Sequence, residues 1–85
     1  MTHEVVLYTR RHCGLCDEAA VELRAVANEL GFAFAERDID GDPVLLARYN
    51  TVIPVVAVNG VVVAEAPFLV EGLREMVAAE MRPPE

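Results

Sequence analysis

The chain has 85 residues, a length that suits one compact domain spanning 1–85 and leaves little room for a second. Hydrophobic residues make up 54% of it, enough for a real core and far from the composition of a disordered chain. The formal charge of −7, from 14 acidic and 7 basic residues, argues against nucleic-acid binding, which needs a basic footprint.

No apolar run approaches the ~18 residues of a membrane span, so no membrane partner is expected. The start, MTHEVVLYTRRHC, carries an acidic Glu4 and only a short apolar run. A signal peptide needs a basic start and a longer apolar stretch, so a cytoplasmic protein is expected.

In chain order, EVVLY at 4–8 reads as a short buried strand, ending in the polar loop Thr9-Arg10-Arg11-His12. Next, Ala20, Leu23, Ala27 and Leu30 recur at spacings of three and four, flanked by Cys16, Ala19 and Val26. That stripe predicts a helix over about 14–30, with Gly31 as its stop. A second strand is predicted over roughly 33–38, with Phe32, Phe34 and Ile39 as its apolar positions. Asp42-Pro43 is a cap followed by a first-turn proline, and opens a short helix to about Tyr49. Val52-Ile53-Pro54 leads into the strand VVAV, Asn59-Gly60 is a hairpin turn, and VVVAE is the fourth strand. A last helix is predicted over about 68–81, with Leu69, Leu73, Met76 and Val77 at helical spacing and a fraying tail after it. The order β-α-β-α-β-β-α implies a parallel first pair, a terminal hairpin and a four-stranded mixed α/β sheet flanked by helices.

The only two cysteines, Cys13 and Cys16, stand two residues apart where the first strand hands over to the helix. In a reducing compartment such a pair reads as redox or metal chemistry rather than a structural disulfide. Two ordinary small core residues at a helix start are the plain alternative. Structural zinc needs four ligands, and Cys13 and Cys16 have only His3 and His12 to join them unless a dimer completes the set. No metal is expected. The acidic series Glu36, Asp38, Asp40, Asp42 lacks the terminal Glu of a calcium loop and reads as solvated loop plus helix cap. Val61, Val62 and Val63 are expected to pack under the last helix, with an exposed edge as the alternative.

With Cys13-Gly14-Leu15-Cys16 after the first strand, Ile53-Pro54 before the third, and this element order, nearly the whole chain resembles the glutaredoxin branch of the thioredoxin-like fold. The similarity is to small bacterial glutaredoxin-like proteins with a CxxC motif. Gly14-Leu15 stands where glutaredoxins usually carry Pro-Tyr, and Ala64 to Phe68 lacks their Gly-Gly and Asp signature for glutathione. Thioredoxin's Trp before the first cysteine is absent too, and Leu7 occupies the position of its buried Asp.

The resemblance implies a thiol–disulfide oxidoreductase in which Cys13 attacks and Cys16 resolves. Cys13 sits at a helix N-terminus, where unpaired N–H groups favour a thiolate; Arg10, Arg11 and His12 add to that pull and Asp17 and Glu18 oppose it. It also implies a cis Pro54 facing the cysteines, with the Ile53 backbone free to pair with an extended substrate segment. Arg10 and His12 are candidate substrate contacts. No bound cofactor is expected, and glutathione is a candidate reductant. Expected partners are a disulfide-containing protein or glutathione, met by a monomer. The alternatives are a thioredoxin-like donor recharged by a reductase, an iron–sulfur carrier, or a non-catalytic interaction module.

Overall fold

The computed structural model describes residues 3–83. Its elements are β1 (Glu4–Thr9), α1 (Gly14–Leu30), β2 (Ala33–Asp38), α2 (Pro43–Tyr49), β3 (Val55–Val58), β4 (Val61–Glu65) and α3 (Leu73–Met81). Single 3-10 turns at Ile39–Gly41 and Val70–Gly72 precede α2 and α3. The sheet order is β2-β1-β3-β4, with β1 parallel to β2 and antiparallel to β3, and β3 antiparallel to β4. This is the mixed sheet that the sequence order predicts, with the thioredoxin-like arrangement of helices.

Strand alternation divides the interior into two layers. Val5 and Leu7 of β1, with Val56 and Val58 of β3, face a core closed by Ala19, Ala20, Leu23 and Val26 of α1 and Leu73 and Val77 of α3. On the opposite face Val55 meets Ile39 and Tyr49, with Tyr8, Leu45, Leu46, Val52 and Ile53 packed around them. The Tyr8 and Tyr49 rings lie 4.7 Å apart between centroids.

Local signals account for most boundaries. Gly31 ends α1 in the left-handed region at φ 78°, a conformation that costs glycine little, and its N–H donates to Ala27 O. The Asp42 carboxylate accepts from the Val44 and Leu45 N–H groups at 2.9 and 3.3 Å, with Pro43 in the first turn. Asn59 and Gly60 both take positive φ, as a two-residue type I′ hairpin requires, and Asn59 Oδ1 accepts from the Glu4 N–H.

Three expectations change. The last helix begins at Leu73 rather than near 68, since no side chain caps either the preceding turn or α3 itself. Leu69 is therefore extended and 70% exposed instead of lying on a buried helical stripe. Ile39 belongs to the 3-10 turn, where it is fully buried under α2, and not to β2. At the sheet edge a register shift in the β3–β4 pairing lets Val63 and Ala64 reach the core while Val61 and Val62 stay 50% and 40% exposed. Of the tail expected to fray, residues 84–85 lie outside the described residues.

Candidate functional site

The strand register decides which loops meet. Parallel pairing sets Asp38 beside Thr9, antiparallel pairing sets Val55 beside Tyr8, and the hairpin sets Glu65 beside Val55. The segments 10–13, 39–42, 52–54 and 66–69 therefore leave the sheet at the same end. Sequence separation is irrelevant here; β1 is central, and its C-terminal end collects them.

Cys13 is the N-cap of α1, with φ −116° and ψ 104°, and its Sγ accepts from the Cys16 N–H at 3.2 Å. The sulfur does what a Ser or Asp oxygen does at other helix starts. The same N–H, with the dipole behind it, favours negative charge on that sulfur when the pair is reduced. Cys13 and Cys16 are joined in a disulfide, with Cα atoms 5.2 Å apart. Their exposure differs: Cys13 is partly open to solvent, whereas Cys16 is 1% exposed in the face that α1 turns to the core. A partner can reach the first sulfur and is shielded from the second. Apart from its chain neighbours and the backbone of its own helix, no atom lies within 4 Å of a Cβ placed on Gly14, so the surface over the helix start is open.

Pro54 is buried and its bond to Ile53 is cis, as the resemblance implies. The carbonyls of Val52 and Pro54 both accept from the Ala66 N–H, at 3.0 and 3.1 Å, which ties this loop to the segment after β4. Ile53 between them makes no backbone hydrogen bond among the described residues. Its neighbours are fixed while its own N–H and C=O are left over. The Ala66–Pro67 bond is cis as well, a feature sequence reasoning missed.

Arg10 and His12 part ways. The Arg10 Nη2 donates to Asn50 Oδ1 at 2.7 Å and lies 3.0 Å from Asp40 Oδ1. Its guanidinium is thus engaged by the segments around α2, and its Nε is buried without a partner. Asn50 stands in no motif, and Asp40 reads from the sequence only as part of a solvated acidic series, so neither partner of Arg10 is identified there. His12 takes φ 57° in the turn before Cys13 and is exposed, with no hydrogen bond among the described residues. His3 lies at the far end of the sheet beside Asn59, 2.9 Å from its side-chain amide. The two histidines are therefore not assembled with the cysteines within one chain. Among the described residues no group of three or more His, Cys, Asp or Glu is placed to hold a metal ion.

A model of the Glutaredoxin-like domain (DUF836) matches residues 4–78, and the chain belongs to that family. No curated protein matches it. Among solved structures, protein Ne2328 from Nitrosomonas europaea superposes with a TM-score of 0.78 at 23% identity, covering 96% of this chain and 94% of that one. The target protein XcR50 from X. campestris is 31% identical over 88% of this chain and 96% of its own, with a TM-score of 0.66. A thioredoxin from Fasciola hepatica is 27% identical, with a TM-score of 0.68 over 92% of this chain and 80% of that one.

Proposed function

We propose that this member of the glutaredoxin-like family is a thiol–disulfide oxidoreductase that reduces disulfides through Cys13 and Cys16. The observation that carries the reading is the asymmetry of the pair: an accessible sulfur held at a helix N-terminus and a buried one a single turn further in. In the reduced protein the Cys13 thiolate attacks one sulfur of a substrate disulfide, and the other sulfur leaves as a thiolate. The resulting mixed disulfide is attacked by Cys16, which loses its proton, expels the second substrate thiol and closes Cys13–Cys16. Two electrons pass from the pair to the substrate. A second dithiol or two molecules of glutathione return them.

The unpaired backbone of Ile53 supplies a place for an extended substrate segment to hydrogen-bond as an added strand. His12 stands at the entrance. Arg10 meets a substrate carboxylate only by leaving Asp40 and Asn50. The protein acts in the cytoplasm as a monomer, on disulfide-bearing proteins or glutathione mixed disulfides, without nucleic acid or membrane. No helix among the described residues is long and apolar enough to cross a membrane.

The test is turnover of a model disulfide by the reduced protein, with thiol release followed by absorbance. Cys13→Ser is expected to fall to background, and Cys16→Ser to accumulate a mixed disulfide visible by mass. Undiminished turnover in Cys13→Ser would sink the assignment.

A further inference from the structure

One side of the reactive end has a charge pattern that the chemistry of the disulfide does not require. Along α1, Gly14, Glu18, Val21 and Glu22 share a face, and Glu18 lies ~6 Å along the axis from the helix start. The turn Val70–Gly72 packs beside that face. Between them runs an open groove of about 460 Å³ lined by Glu18, Val21, Glu22, Val70 and Glu71. Val21 is 67% exposed and Leu69, just before the turn, is 70% exposed. Both add exposed apolar surface on this side of the molecule.

The carboxylates around the groove are unpaired. Glu29 and Glu75 are held by Arg74, Glu36 by Arg24 and Asp40 by Arg10. Glu18, Glu22 and Glu71 make no ion pair among the described residues. Arg74, which lines a neighbouring cleft with Glu22, is committed to Glu29, whose hydrogen bond and charge raise its guanidinium pKa above the ordinary value. The groove thus combines an apolar floor with a rim of uncompensated negative charge.

We propose that this groove is the docking surface for protein disulfides whose cysteine is flanked by apolar and basic side chains, and that it disfavours glutathione. The inference rests on the thiol–disulfide reading above. An apolar side chain covers Val21 and Val70 while lysine or arginine side chains meet Glu18, Glu22 and Glu71. Such complementarity acts mainly on encounter and selection and is weakened by salt. Glutathione is small and a net anion; it leaves the groove uncovered and brings carboxylates toward carboxylates. A second copy of this chain is disfavoured on the same ground, since it carries a net charge of −7.

The test uses three symmetric disulfide-linked peptides, each with leucines beside its cysteine and lysine, glutamine or glutamate outside them, together with oxidised glutathione. Each is mixed with the reduced full-length protein at low and high salt, and single-turnover rates are read. The lysine peptide is expected to react on the order of 10-fold faster than the glutamate peptide at low salt, with oxidised glutathione ranking with the latter. At ~0.5 M salt the gap should shrink to about 2-fold. The double variant Glu22→Gln, Glu71→Gln should lose most of the gap while keeping its rate on the glutamine peptide, which also shows that it is folded. Equal rates for lysine and glutamate peptides, or a gap that survives undiminished in the double variant, overturn the docking proposal alone. Failure to reduce any of the four disulfides overturns the oxidoreductase reading and this proposal with it.

Discussion

The two faces of the sheet support the site unequally. Under α1 and α3 lie Val5, Leu7, Leu23, Val26, Val56, Val58, Leu73 and Val77, all buried. Under α2 the buried cluster is smaller, Ile39, Tyr49 and Val55 among the described residues, with partly buried neighbours around them. Cys16 is buried on α1, the helix that closes the larger layer, whereas Val52 and Ile53, which lead into cis Pro54, pack on the smaller one. The attacking pair is therefore mounted on the firm side and the strand-pairing loop on the lighter side. Arg10 bridges the two sides, its guanidinium held by Asn50 and Asp40 beside α2.

The largest effect is expected from Leu23→Ala. Leu23 is fully buried between α1 and the sheet, and removing it should cost about 2–5 kcal/mol in chemical denaturation. Ile39→Ala deletes an equally buried side chain from the other face. Its cost should fall near the lower end, about 2 kcal/mol, because the seven-residue α2 can settle into the space. It should also slow disulfide reduction, as the Pro54 loop loses its support. Equal losses for the two variants would abolish the distinction between the faces. Next comes Asp42→Ala, which removes the acceptor for two N–H groups at the start of α2; about 1 kcal/mol is expected, measured by thermal or urea unfolding.

These elements also show which parts of the molecule were legible in the sequence. The bounds of α1 and α2 follow from side chains that act on their own backbone neighbours: the apolar stripe of α1, Gly31 after it, and Asp42-Pro43 before α2. The hairpin at Asn59-Gly60 is legible for the same reason. The stretch from Ala66 to Gly72 has no such group. Its geometry is set by the Ala66 N–H reaching Val52 and Pro54, and by burial of Leu73 beyond it, none of which is local. Pro54 was identified through a family motif, and Pro67, with no motif, was not. The cysteines stood out because only two exist and they sit at a strand-helix junction. The partners of Arg10 did not, because Glu36, Asp38, Asp40 and Asp42 are equivalent candidates until the register places Asp38 beside Thr9 and brings the next turn toward Arg10.

Asp40→Asn is the finest test of the link between the faces. The Arg10–Asp40 pair is partly exposed, at 28% and 51% of the side chains, so its loss should cost only about 0–1 kcal/mol of stability. Its effect on reactivity should be easier to see. Asp40 occupies a cation three residues from Cys13, and neutralising it leaves Arg10 held by Asn50 alone. The freed positive charge should favour the Cys13 thiolate, and alkylation of the reduced protein near pH 6 should rise by about 2-fold to 5-fold, more at low salt than at high. Reduction of an anionic disulfide such as oxidised glutathione should rise with it. If the alkylation rate is unchanged while Arg10→Ala lowers both stability and turnover, Arg10 serves the site through position, by joining the Cys13 loop to the segment before Pro54, and its charge is spent on Asp40.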